Sequence, residues 1–168
     1  SEVDLRQNAA GRMLKARIYQ PKGPGPFPTV LDLHGGGWNR KDRLAEEPMD
    51  RALAASGLLV VAVDLTLGGE APYPACVQDA NYAARWLKLN AARWNGDVSK
   101  LGIYGSSSGG HVAELLSMRP HDPRSDQIAS RGVQRIVSES DSCMRTDSSN
   151  PGYNVSQSHN PHLSVCES

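Results

Sequence analysis

In the stretch IYGSSSGGH, residues 103–111, three serines lie between glycines directly after a short apolar run. Gly105-Ser106-Ser107-Ser108-Gly109 fits the pattern G-x-S-x-G, in which the middle serine stands on a sharp strand-to-helix turn and offers its hydroxyl as a nucleophile. The turn forces that serine into an unfavourable backbone conformation, and the flanking glycines remove Cβ atoms that would collide with neighbouring elements. Ser107 is therefore the candidate nucleophile. It stands beside a helix N-terminus that favours developing negative charge. A flexible linker or phosphate loop has a similar composition, but the Gly-Lys-Ser/Thr of a P-loop and the G-x-G-x-x-G of a dinucleotide fold are both missing.

A second motif, His34-Gly35-Gly36-Gly37-Trp38, follows the apolar run TVLDL. Three glycines allow backbone N–H groups to turn towards one point, where they can stabilise the oxyanion of a tetrahedral acyl intermediate. The N–H of the residue after the nucleophile, Ser108, would complete the set. His34 is expected to brace this loop by hydrogen bonding. Trp38 is expected to anchor it or to line a pocket.

Positioning these residues requires strands and helices in alternation, and the chain has that pattern from Val3 to about Met118. EVDLR and MLKARIYQ, separated by a polar turn with Gly11, predict an opening hairpin. TVLDLH and LLVVAVDL are Val- and Leu-rich and bounded by Pro and Gly, as strands buried on both faces should be. EEPMDRALAAS between them reads as a short helix. Val77, Ala80, Ala84, Leu87, Ala91 and Trp94 recur at spacings of three and four and predict one long helix, with Asp79 in its first turn. LGIYG is the next strand and GGHVAELLSM the next helix. The expected class is α/β, a mostly parallel sheet with flanking helices over residues 1–124. Residues 125–168 hold 11 serines against 7 in the first 124 and lose any apolar period, which predicts a polar, poorly ordered tail in which only GVQRIV could pass as a strand.

Composition narrows the partners. Lys+Arg and Asp+Glu both number 18, so no basic excess is available for nucleic acid or an anionic membrane surface. No apolar run approaches the roughly 20 residues of a bilayer span, and the first residues lack a signal-peptide core; a soluble, cytoplasmic chain is expected. Cys76, Cys143 and Cys166 match no zinc or disulfide pattern, so neither metal nor cofactor is expected.

With both glycine motifs in order, the chain resembles the α/β-hydrolase superfamily, and within it the hormone-sensitive-lipase-like esterases that carry HGGG ahead of the nucleophile elbow. VVAVDLTLGGEAPYPACVQDA resembles the stretch between those motifs in such esterases, with Asp64, Glu70, Pro72, Tyr73, Pro74 and Asp79 at matching places. The resemblance covers about residues 2–124. It implies hydrolysis of a small-molecule carboxylic ester, usually of short acyl chain, with Ser107 attacking the carbonyl. Gly36, Gly37 and Ser108 would hold the oxyanion, and Gly35 would shape the loop.

The family's acid and histidine follow the serine, but only 61 residues remain after Ser107. At roughly 30 residues per βαβ step they cannot hold the missing units, so the sheet is expected to be incomplete, about five strands of the usual eight. Asp126, Asp141 and Asp147, followed by His159 and His162, preserve the required order but are weak candidates, since a base must be held within about 3 Å of the hydroxyl. His111 lies one helical turn beyond Ser107 and is expected to be a packed or surface residue. Three outcomes follow: an esterase with an impaired base, a non-catalytic ligand-binding protein on the same scaffold, and acyl transfer or amide hydrolysis by the same nucleophile. The unpaired edge of the last strand further predicts aggregation or a homodimer.

Overall fold

A computed structural model describes residues 1–119. Among these residues five strands form one sheet: β1 (Glu2–Gln7), β2 (Met13–Tyr19), β3 (Phe27–Leu33), β4 (Leu59–Val63) and β5 (Gly96–Gly105), in the spatial order β1-β2-β4-β3-β5. β1, β2 and β4 pair antiparallel, whereas β3 pairs parallel with both β4 and β5. The opening hairpin is present, and its turn carries Gly11 at φ 83°, a region that suits glycine.

The buried strand β4 shows why the sheet needs cover on both sides. Its five residues LVVAV are all buried, and alternate side chains enter different cores. Leu59, Val61 and Val63 join Leu31 and Leu33 beneath two helices, α2 (Ala75–Asn90) and α3 (Ser108–Met118). Val60 and Ala62 point the other way, to Tyr19 and to Leu53 and Ala54 of helix α1 (Glu47–Ala55). Each fully buried Val or Leu among them contributes about 1.5–3 kcal/mol. This is the continuous apolar run expected of a strand covered on both faces.

Three local expectations need correction. The stripe from Val77 to Trp94 is not one α-helix: α2 stops at Asn90 and passes into a turn of 3₁₀-helix, Ala91–Trp94, closed by Asn95 in the left-handed region at φ 56°. Asp79 is not in the first turn, because Pro74 caps the helix and α2 starts at Ala75; its carboxylate instead accepts the Thr66 N–H at 2.7 Å and pairs with Arg6 at 3.0 Å. β5 begins at Gly96 rather than near Leu101, and its pairing with β3 shifts register between Pro28 and Val30. Asp126, Asp141, Asp147, His159, His162 and the GVQRIV segment lie outside the described residues. Among the described residues, no helix is long and apolar enough to cross a membrane.

Candidate functional site

The C-terminal ends of β3 and β5 are neighbours in the sheet, with Leu33 in register with Gly105. Everything that follows from both strands therefore emerges at one edge. β3 leads into HGGGW, and β5 leads into the serine triplet and α3.

At the end of β5 the chain reverses within a single residue. Ser107 has φ 50° and ψ −116°, a conformation rare for a side chain with a Cβ, which costs on the order of 1–3 kcal/mol. The surrounding glycines make the bend sterically feasible. A Cβ on Gly105 would stand 2.5 Å from the carbonyl carbon of Gly109, and one on Gly109 would overlap the Leu33 carbonyl oxygen. The turn is held by the Gly109 N–H donating to Ser106 O at 2.8 Å and the His111 N–H donating to Ser107 O at 3.2 Å. The outcome separates three chemically identical neighbours: Ser106 is half-buried, Ser108 is 5% exposed, and Ser107 is exposed.

The glycine loop sits against this turn. Gly35 is buried beside Ser106, and the Trp38 N–H points at Ser108 Oγ at 3.4 Å. Gly36 lies at φ 108° and Gly37 at φ 62°, and a Cβ on Gly36 would overlap Arg40 O. No described residue hydrogen-bonds the N–H of Gly36 or Gly37. His34 is 4% exposed and uses both ring nitrogens: Nε2 accepts the Leu65 N–H at 3.2 Å, which leaves the proton on Nδ1 to donate to Gly35 O at 2.8 Å. The histidine thus ties the glycine loop to the end of β4, as its brace role requires.

Beneath lies a lattice of acids that the motifs alone do not explain. Asp64 accepts the backbone N–H groups of Lys15 and Arg43, each at 3.0 Å, and pairs with the Arg43 guanidinium. Glu70 bridges Arg12, Asn8 and the Leu67 N–H, and the hydrogen bond from Arg12 holds its carboxyl below the usual range. Burial pushes the Asp79 carboxyl up, against the hydrogen bonds from Thr66. The three carboxylates pin the loop after β4, whose Gly68 N–H donates to Trp38 O at 2.7 Å. Arg6, Arg12 and Arg43 were missed in the sequence, because they lie up to 73 positions from their partners.

His111 is exposed and packs edge-on to Trp38, ring centroids 5.6 Å apart. Among the described residues no imidazole or carboxylate hydrogen-bonds Ser107 Oγ. The geometry therefore brings together a strained, exposed serine, a helix N-terminus and, among the described residues, the unbonded N–H groups of Gly36 and Gly37.

Comparison with known proteins places the chain among esterases. The family model BD-FAE matches residues 17–147. Carboxylesterase NlhH of Mycobacterium tuberculosis is 38% identical over 111 residues, 65% of this chain and 35% of that protein. Esterase LipI of the same organism is 32% identical over 124 residues, 71% of this chain and 39% of that protein. Among solved structures, a hyperthermophilic esterase from Pyrobaculum calidifontis superposes with TM-score 0.66 at 31% identity, over 73% of this chain and 39% of its own. A thermophilic esterase of Thermogutta terrifontis gives TM-score 0.64 at 27% identity, over 69% and 43%. The chain thus spans well under half the length of these relatives.

Proposed function

The chain belongs to the BD-FAE family and has the α/β-hydrolase fold of these esterases, and on that premise we propose that it hydrolyses small carboxylic esters of short acyl chain through Ser107. Ser107 Oγ attacks the ester carbonyl carbon and gives its proton to a general base. The carbonyl oxygen becomes an oxyanion held by the N–H groups of Gly36, Gly37 and Ser108, with the N-terminus of α3 adding its partial positive charge. Collapse of that intermediate expels the alcohol, which takes up the proton, and water then releases the acid from the acyl-serine by the same steps.

One observation carries this reading: Ser107 is the exposed member of the triplet and holds φ 50° directly against the glycine loop. Strain of that kind persists only where surrounding structure enforces it. His34 supports the loop from below, so its role is positional. The reaction needs a base near Ser107 Oγ, and the described residues contribute none; Asp141, Asp147, His159 and His162 lie beyond them. Loss of such a base lowers turnover steeply, yet an oxyanion hole and binding alone leave roughly 10³- to 10⁴-fold over water.

The test pairs a fluorophosphonate label with hydrolysis of p-nitrophenyl acetate, comparing the wild-type chain with Ser107→Ala. Labelling and turnover that both vanish in the variant are expected. A folded wild-type protein that neither labels nor turns over would overturn the catalytic reading and favour ligand binding on the same scaffold.

A further inference from the structure

Gly36 and Gly37 sit at φ 108° and φ 62°, and residues without a Cβ do not fix the direction of their own N–H groups. The direction has to come from the two ends of the run, and both ends are tied to one neighbouring segment. His34, before the glycines, accepts the Leu65 N–H on Nε2 at 3.2 Å. Trp38, after them, accepts the Gly68 N–H on its carbonyl oxygen at 2.7 Å. The two stretches approach closely, since a Cβ on Gly68 would stand 2.6 Å from Asn39 Oδ1. The glycines are thus slung between Leu65 and Gly68, on the segment that follows β4.

Residues 65–70 lie beyond the last paired residue of β4, Val63, so their place depends on side chains. One guanidinium grips both ends of the segment. Arg12 Nη2 donates to Leu65 O at 2.7 Å and to Glu70 Oε2 at 2.9 Å, while Nε donates to Glu70 Oε1. Glu70 Oε2 in turn accepts the Leu67 N–H at 2.8 Å. A planar fork that engages two carboxylate oxygens and a main-chain carbonyl fixes orientation as well as distance, which an ammonium group cannot do. Each charge supports the other: the hydrogen bond from Arg12 holds the Glu70 carboxyl low, and Glu70 holds the guanidinium up. Arg12 is itself held in the β1–β2 turn, where Asn8 Oδ1 accepts its N–H and the Asn8 N–H donates to its carbonyl, both at 2.9 Å. The neighbouring arginines act elsewhere, Arg43 on Asp64 and Arg6 on Asp79 of α2.

We propose that Arg12 is a positioning residue for the oxyanion loop, setting the N–H groups of Gly36 and Gly37 through Leu65 and Glu70. Its catalytic consequence rests on the esterase reading of Ser107, whereas its geometry is read without turnover. In ¹H–¹⁵N spectra of the full chain, Arg12→Gln is expected to shift the Gly36, Gly37 and Gly68 amides, and Arg12→Lys to shift the same three less. Arg17→Gln, which removes a cation paired with Glu2 at 3.6 Å on β2, should leave them in place. Gly36 and Gly37 unmoved in Arg12→Gln, or moved as far in Arg17→Gln, would overturn the proposal. Should Arg12→Gln fail to fold, Glu70→Gln, which keeps the shape of the clamp and removes its negative charge, is held to the same three amides.

The second arm reads the chemistry of the folded variants. A displaced oxyanion donor should slow fluorophosphonate labelling of Ser107 by about 10- to 100-fold in Arg12→Gln, with partial recovery in Arg12→Lys. For p-nitrophenyl acetate, kcat should fall while KM stays within about twofold, because the oxyanion contacts form only in the transition state. The double variant Arg12→Gln/Glu70→Gln should label no more slowly than the slower single variant, as two halves of one clamp require. Wild-type labelling in Arg12→Gln, a loss confined to KM, or single losses that multiply in the double variant would overturn the positioning role. A wild-type chain that never labels would fail the esterase reading, while the three amides would still decide the clamp.

Discussion

Ser106, Ser107 and Ser108 are chemically alike, and only backbone geometry distinguishes them. The Ser106 N–H donates to Leu33 O at 3.4 Å, extending the β3–β5 pairing, and Ser108 Oγ lies under the Trp38 N–H. Ser106→Ala and Ser108→Ala should therefore keep fluorophosphonate labelling, since the role proposed for Ser108 is that of its main-chain N–H. Either variant losing the label while Ser107→Ala kept it would shift the nucleophile. His34 gives a second prediction at this scale. His34→Ala leaves the buried Leu65 N–H without an acceptor and should cost about 1–3 kcal/mol in urea unfolding. Its turnover should fall by up to about 100- to 1,000-fold as the glycine loop loses its set. Full activity in that variant would show that the loop holds itself. Both motifs were readable in the sequence because the need is local: a strained turn and a backbone-lined loop require glycines at fixed offsets.

Among the elements, β3 and α1 meet through an unusual layer. Asp32 of β3 is 1% exposed and Asp50 of α1 is buried, and neither carboxyl has a hydrogen-bond partner among the described residues. Burial first, then the neighbouring Asp50 and Glu46, push Asp32 up to about 7. Burial with Glu46 and Glu47 pushes Asp50 to about 6. Tyr104 of β5, opposite Asp32 in register, faces the same acids, and Lys41 approaches Glu46 at 3.9 Å. Because the folded state binds these protons more tightly than the unfolded chain, their contribution to stability is full below about pH 4. It drains away as pH rises through about 7. Thermal midpoints should accordingly fall between pH 5 and pH 8, and Asp32→Asn should flatten that fall. A wild-type midpoint that rises over this interval would refute the assignment. None of this was visible in TVLDLH, where Asp32 looks like one polar residue in a strand. Its partner acids come from a turn and helix 14 or more positions away, and periodicity does not report which face a later helix will cover. Asp64 and Glu70 stand out in the sequence only as matching positions and Asp79 also as a first-turn carboxylate, and the arginines that explain all three became visible only in the fold.

For the whole molecule, the parallel pairing of β3 with β5 is the governing fact. The alternation of apolar runs with helical stripes was enough to anticipate the five strands among the described residues, since each buried strand carries its own composition. The strand order and the early start of β5 were not readable, because each arises from segments brought together only by the crossovers. Among the described residues β5 hydrogen-bonds only to β3, and an edge left open there would offer N–H and C=O groups that can recruit a strand. Concentration-dependent association in sedimentation velocity is the expected behaviour, and a monomer at all concentrations would speak against an open edge. The same sheet brings the ends of β3 and β5 side by side, and the esterase reading depends on that juxtaposition. Its most direct measurement is the ¹H–¹⁵N spectrum of the chain before and after fluorophosphonate treatment, with the adduct mapped by mass spectrometry. The account predicts an adduct on Ser107 and large shifts of the Gly36, Gly37 and Ser108 amides as they bind the phosphonyl oxygen. An adduct on another residue, or a Ser107 adduct that leaves those three amides unmoved, would contradict it.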